Sequence, residues 1–347
     1  MYFDDLKNNL LIKAALGEIT PRPPVWLMRQ AGRVLPEYLK IRERFKDFKS
    51  FVKNPDAAAE VTVQPVDILG VDAAIVFSDI LVLPEAMGID YVMEEIKGPV
   101  IPKTILNEKD IDALSVDVEK KLNYVIETIQ KSKQLLQKRV PLIGFAGAPW
   151  TIFCYIIEGS GTKTFTKPRI WLYQKPELAH KLLQKITDAT KKYLLAQVKA
   201  GVNVIQIFDS WAGVLGEEMY QNFGLTYIAQ LCDELSPHVP VIVFSKGANF
   251  SLHAISQTSC SVVGIDWCIK PSEAKKQIKN KTIQGNLDPC ALFAPKNYIQ
   301  KKTKELIESF SDVPYIVNLG HGLYPETPKE NVKFFVDLIK NFVSINY

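Results

Sequence analysis

At 347 residues, with 47% hydrophobic and 23% charged side chains, the chain has the balance of an ordinary water-soluble globule and is long enough to bury a large core. A formal charge of +4 mildly favours acidic small molecules and falls far short of the basic stripe of a nucleic-acid binder. No apolar stretch is long enough to span a bilayer and no export signal accompanies Asp4 and Asp5; five scattered cysteines without metal-ligand spacing predict reduced thiols, no disulfide and a cytoplasmic setting.

Short apolar runs rich in β-branched residues recur along the chain, separated by segments of helical periodicity. Eight are predicted as strands: Pro24 to Met28, Ala73 to Phe77, Pro141 to Phe145, Val204 to Phe208, Val239 to Phe244, Val262 to Ile265, Thr282 to Gln284 and Tyr315 to Val317. Runs apolar on both faces suit parallel strands covered by helices. Between them, Glu177 to Ala200 reads as a long amphipathic helix stopped by Gly201. Thr327-Pro328-Lys329-Glu330 offers an N-cap, a proline at the first helical position and a capping-box glutamate ahead of Val332 to Phe342. Pro84 to Leu106 is too long for a plain loop and is expected to form a hairpin. The pattern predicts one α/β domain over residues 1–347, a (β/α)8 TIM barrel. A doubly wound open sheet is the alternative, weakened because no glycine-rich turn follows the first strand.

In such a barrel the chemistry belongs at the carboxyl ends of the strands. The first run opens straight into Arg29-Gln30-Ala31-Gly32-Arg33, two planar guanidinium forks around small residues that leave room for a ligand against the backbone. That is a clamp for a large anion. Asp79 follows the second run and would face the arginines; from spacing alone it serves equally well as a helix N-cap or salt-bridge partner. His321, within Gly320-His321-Gly322, sits on flexible backbone after the last run, where the bland alternative is a turn residue. Tyr155 either aims a phenol at a ligand or fills a gap between helix and sheet. Ser210 has no neighbouring histidine to activate it, which favours substrate hydrogen bonding over covalent catalysis. Lys246 either forms a Schiff base, as class I aldolases do, or pairs with Asp209 or Asp266. His180, His238 and His253 read as structural. No metal site is expected, because no histidine is followed two residues later by cysteine.

Taken together, PVWLMRQAGRVLPEY from Pro24, AAIVFSDILV from Ala73, PLIGFAGAPWT from Pro141, IQIFDSWAG from Ile205, IQGNLDP from Ile283 and NLGHG from Asn318 resemble the uroporphyrinogen decarboxylase family along essentially the whole chain. The resemblance implies a (β/α)8 barrel, usually a homodimer, that removes four acetate carboxyls from uroporphyrinogen III to give coproporphyrinogen III without metal or organic cofactor. Its substrate loop falls on Arg29 through Arg33, including Gln30, Ala31 and Gly32, and its central aspartate on Asp79. Tyr155, Ser210 and His321 match the remaining polar substrate contacts and Phe145 an apolar wall; Asp79 and Arg29 are the expected catalytic pair. Val34 departs from the family, which commonly has an aromatic residue there, and this puts a packing contact in doubt. Two rivals are a zinc-using corrinoid or thiol methyltransferase of related fold and a catalytically silent tetrapyrrole carrier.

Overall fold

The computed structural model describes residues 6–32, 34–94 and 98–342. Its centre is a curled parallel sheet of seven strands: β1 (Ala74–Ile75), β4 (Leu142–Gly147), β5 (Val204–Asp209), β6 (Val241–Ser245), β7 (Val262–Gly264), β8 (Thr282–Leu287) and β9 (Tyr315–Leu319), hydrogen-bonded in that order. Two further strands, β2 (Val92–Glu94) and β3 (Gly98–Val100), form the separate antiparallel hairpin expected between Pro84 and Leu106, preceded there by a short helix, Val82–Met87.

Seven of the eight predicted runs are strands, and the first is not. Of residues 24–28, only Val25 makes a bridge, parallel to Val317. The reason lies in where the backbone donors go. Pro24 has none to give. The Val25 N–H donates to the Asp72 carboxylate at 2.8 Å, Leu27 N–H to Gln30 Oε1 at 2.8 Å, and Met28 N–H to Asn318 Oδ1 at 3.1 Å, so side chains take three of the four donors and only Trp26 N–H reaches a strand, at Val317 O 3.4 Å away. The segment is nevertheless tethered on both sides. Val317 N–H donates to Pro24 O at 2.9 Å, and Asp72 N–H, just before β1, donates to Val25 O at 2.7 Å.

Alternation along the strands divides the apolar side chains into two cores. Ile75, Ile143, Val204, Ile242, Val262 and Ile316 point to the inner face of the curl, where Trp26 and the small helix Leu10–Ala15 join them. Leu142, Ile205, Val243, Val263, Ile283 and Val317 point outward against the helices. A buried polar ladder crosses the inner core: Trp26 Nε1 donates to Gln284 Oε1 at 2.9 Å, and Gln284 Nε2 to Gln206 Oε1 at 3.2 Å.

The long helix runs Pro176–Ala200 and ends on Gly201 at φ +102°, a left-handed position natural to glycine. The last helix, Lys329–Lys340, starts one residue later than its capping signal suggests. Pro328 is extended at ψ 121° and occupies the N-cap position itself, while the Thr327 hydroxyl is buried without a hydrogen-bond partner. All five cysteines are free, and among the described residues no helix is long and apolar enough to cross a membrane.

Candidate functional site

A cavity of about 220 Å³ opens at the carboxyl ends of the strands. Arg29, Ala31, Asp79, Phe145, Ser210 and His321 all line it. Residues more than two hundred positions apart in sequence are thereby brought to one surface.

Arg29 takes its position from an unusual backbone. It has φ +64°, in the left-handed region that costs a non-glycine residue about 1–2 kcal/mol, and this turns the chain out of the Val25 segment toward the cavity. The loop after β9 is stitched alongside, with Leu323 N–H donating to Met28 O at 3.0 Å. The guanidinium stem passes directly over Gly322.

Asp79 follows β1 by way of Val76, whose N–H bonds Ile143 O at 3.0 Å, and Phe77, whose N–H donates to Thr62 Oγ1 at 2.9 Å. One carboxylate oxygen accepts from Leu81 N–H at 2.7 Å, which organises the entry to helix Val82–Met87. Asp79 is thus not the helix N-cap, a position that Leu81 holds without a side-chain cap; its carboxylate closes a local turn onto the Leu81 N–H while lining the cavity. Burial raises the Asp79 pKa above the ordinary carboxylate value; the Leu81 hydrogen bond and the Arg29 charge pull it down but do not overcome desolvation.

Phe145 is held by Gln197 of the long helix. Its N–H donates to Gln197 Oε1 at 3.0 Å and its carbonyl accepts from Gln197 Nε2 at 2.9 Å. Gly144 permits this: a Cβ there would stand 2.4 Å from Gln197 Oε1. Phe208, whose place on the wall the sequence reading missed, meets Phe145 edge-on with ring centres 5.7 Å apart. Its signal was available, since it sits on the inner face near the carboxyl end of β5.

His321 lies with its ring 6.2 Å from that of Phe244. Burial first, then the charges of Lys246 and Arg29, lower its pKa to about 3, so the imidazole is neutral across the physiological range. Lys246 makes no ion pair with Asp209 or Asp266. Asp209 Oδ1 accepts from Thr151 Oγ1 at 2.7 Å, and Asp266 is taken up by Gly247 N–H at 2.6 Å, Cys268 N–H at 2.8 Å and Asn249 Nδ2 at 3.1 Å. Burial raises the pKa of Asp209 to about 6.

Three of the expected residues do not line the cavity. The Gln30 side chain is fully buried and spent on the backbone, accepting from Leu27 N–H and donating to Ala73 O at 2.8 Å. Gly32, at φ +146°, serves the turn after Arg29. Tyr155 is half-buried, edge-on to Phe165 at 5.9 Å and Trp211 at 6.3 Å, and is near enough to feel the charges of Asp79 and Arg29. Burial and the Asp79 charge push its phenol pKa up. Arg33 lies outside the described residues. Val34, at the position that departs from the family pattern, is buried in the outer core. No group of three His, Cys, Asp or Glu side chains suited to a metal ion occurs among the described residues.

Comparison with known proteins adds the relatives. The chain is 47% identical to the uroporphyrinogen decarboxylase of Flavobacterium johnsoniae over 339 residues, covering 97% of this chain and 99% of that one. It is 45% identical to that of Schizosaccharomyces pombe, covering 96% and 98%, and 43% identical to that of Homo sapiens, covering 97% and 95%. Among solved structures, a methyltransferase from Methanosarcina mazei matches with a TM-score of 0.83 at 21% identity, over 96% of this chain and 98% of that one, a likeness of fold alone. The family model "Uroporphyrinogen decarboxylase (URO-D)" matches residues 6–342. By that match and by its full-length relatives, the chain belongs to the uroporphyrinogen decarboxylase family.

Proposed function

We propose that the chain removes the four acetate carboxyls of uroporphyrinogen III, giving coproporphyrinogen III and carbon dioxide. The observation that carries this reading is the convergence of Arg29 and Asp79 on one cavity in a chain of this family. The substrate has carboxylates around its rim and four pyrrole N–H donors at its centre. Arg29 offers a bidentate fork for a rim carboxylate, and Asp79 offers an acceptor for several N–H groups at once.

Each acetate that leaves as carbon dioxide consumes one proton and becomes a methyl group. Protonating the adjacent ring carbon first makes a cationic, iminium-like pyrrole that receives the electron pair of the breaking C–C bond. The exocyclic methylene left behind then takes up a proton to become the methyl group while the ring carbon gives its added proton back, so one proton is consumed net. Asp79, fixed by the Leu81 N–H, stabilises that cation as it forms, an electrostatic effect of the kind that often contributes most to catalysis. A guanidinium with pKa above about 12 is a poor acid, so Arg29 holds and orients unless it relays a proton from a substrate carboxyl or water. His321, neutral at physiological pH, is not an imidazolium reservoir and acts as a hydrogen-bonding group. In this reading protein groups suffice and no metal or organic cofactor takes part. Ser210 contributes hydrogen bonding, Phe145 an apolar wall, and Tyr155, Gln30, Gly32 and Arg33 complete the substrate loop and its surroundings.

We also infer that residues 24–28 act as an eighth stave, closing the sheet into a (β/α)8 barrel and a single domain over residues 1–347. The tethers to Val317 and Asp72 support it, as does one continuous outer core running from Val25 to Ile339. The chain is further proposed to work in the cytoplasm as a homodimer, which light scattering of the purified protein tests.

The deciding experiment is anaerobic incubation with uroporphyrinogen III followed by chromatography of the oxidised products. Hepta- to tetracarboxyl species are expected. Binding without any of them would make the protein a tetrapyrrole carrier instead.

A further inference from the structure

We propose that Lys246 is a second cationic subsite, holding a substrate carboxylate on the other side of His321 from Arg29; this rests on the polycarboxylate reading above. The first support is position. Lys246 is the residue after β6, at the same end of the sheet as Asp79 after β1, Ser210 after β5 and His321 after β9. In strand order β6 stands three strands from β9, whereas the Arg29 segment bridges β9 directly from the opposite side. The charges of both Lys246 and Arg29 reach the His321 imidazole.

The second support is a contrast between a fixed backbone and an unpaired head. Lys246 N–H donates to Asp209 O at 3.0 Å and Lys246 O accepts from Gly213 N–H at 2.9 Å. Gly213 and Gly247 then lock the loops after β5 and β6 together, since a Cβ on Gly213 would stand 2.7 Å from Gly247 Cα. The half-buried side chain has no carboxylate partner among the described residues. Asp209 and Asp266, the acids near enough in sequence and fold to serve, are turned to Thr151 and to Gly247, Asn249 and Cys268. What the ammonium does meet is the face of Trp267, 5.9 Å from the ring centre, a weak contact that leaves its N–H donors open.

Lys246 is half-buried and does not itself line the cavity of about 220 Å³, but its open donors lie beside His321, which does, so a carboxylate of a bound polyanion reaching past His321 would supply the counter-ion that the described acids do not. The substrate class is thereby narrowed to one with carboxylates spaced to reach both Arg29 and Lys246. A Schiff base at Lys246 is disfavoured, because a carboxylated tetrapyrrole has no aldehyde or ketone carbonyl to condense with an amine.

The test compares wild type with Lys246→Gln, Lys246→Met and Lys246→Arg in anaerobic initial rates over a range of uroporphyrinogen and salt concentrations. In parallel, equilibrium binding of the oxidised octacarboxylate uroporphyrin is followed by tryptophan fluorescence. Removing the charge is expected to raise KM and the uroporphyrin Kd about tenfold, with a smaller effect on kcat. It should also flatten the salt dependence of KM, and Lys246→Arg should restore most of the loss. Thermal melts of all four proteins check the fold. An active wild type with unchanged KM and Kd in both neutral variants, or borohydride trapping of a substrate adduct on Lys246, would overturn the subsite. A wild type that binds uroporphyrin in a Lys246-dependent way without turnover would instead overturn the decarboxylase reading and leave the subsite standing.

Discussion

Arg29 lies across Gly322 so closely that a Cβ on the glycine would come within 2.4 Å of Arg29 Cδ and 2.6 Å of its Cγ. The position of the Arg29 side chain on one side of the cavity thus depends on the absence of a side chain in the loop after β9. Gly322→Ala is expected to dislodge the guanidinium and raise KM for uroporphyrinogen about tenfold, with Arg29→Lys giving a loss in both KM and kcat. Steady-state kinetics checks both. If Gly322→Ala leaves KM unchanged, the stem has room that the structure denies it.

Asp79 is expected to be the most sensitive position. Asp79→Leu or Asp79→Ala should lower kcat by about 100-fold or more, the loss typical when a preorganised electrostatic partner is removed. In the proposed mechanism the working form is the carboxylate, and burial raises its pKa above 3.8. Activity should therefore fall as pH drops through that raised value and be full above it. Near-normal turnover of Asp79→Leu refutes the role.

His321 makes a prediction about stability. Its folded-state pKa, about 3, is below the ordinary 6.5, so the fold favours the neutral ring. The contribution is complete above pH 6.5 and is lost as pH falls toward 3. His321→Gln should narrow the gap between urea midpoints measured at pH 7 and pH 5; equal acid sensitivity in the two proteins would show that the ring is not desolvated.

Asp209 carries the opposite sign. Its pKa is raised from 3.8 to about 6, so its contribution to stability is fully present below 3.8 and lost as pH rises through 6. An asparagine can still accept from Thr151. Asp209→Asn is expected to gain stability relative to wild type as the pH of denaturation is moved from 4 to 8, and a constant difference across that range would contradict the assignment.

Asp72 is the anchor of the Val25 segment. Fully buried, it receives both guanidinium nitrogens of Arg22 at 2.7 and 2.8 Å, the Asn8 amide at 2.7 Å and the Val25 N–H at 2.8 Å. Asp72→Ala leaves Arg22 without its carboxylate, with only the 3.3 Å bond to Pro23 O remaining, and strips the Val25 N–H of its acceptor, and should cost about 3–5 kcal/mol, read from denaturant unfolding. A loss below about 1 kcal/mol would mean that the segment is held by its ladder bonds alone.

The amino-acid sequence by itself determined seven of its eight expected strands and the long helix Pro176–Ala200, because burial on both faces of a parallel sheet writes continuous β-branched runs such as Val241 to Phe244. It also placed Asp79, Ser210 and His321 just beyond the carboxyl ends of β1, β5 and β9, since each comes shortly after such a run, whereas Arg29 follows a segment that is not a strand. What it could not determine was the destination of hydrogen bonds between distant residues. Residues 24–28 have the composition of a strand, yet three of their four donors go to the side chains of Asp72, Gln30 and Asn318, and only folding brings Asn318 beside Met28. Gln30 sits inside the clamp motif and yet faces away from the cavity, because the backbone of Leu27 and Ala73 claims its amide. The close approach of Arg29 to Gly322 and the lack of a carboxylate partner for Lys246 among the described residues were likewise decided in three dimensions, by which atoms came within a few ångströms of each other. Periodicity is a local property that the chain carries at every residue, whereas a contact is a relation between two residues that exists only after the chain has closed on itself.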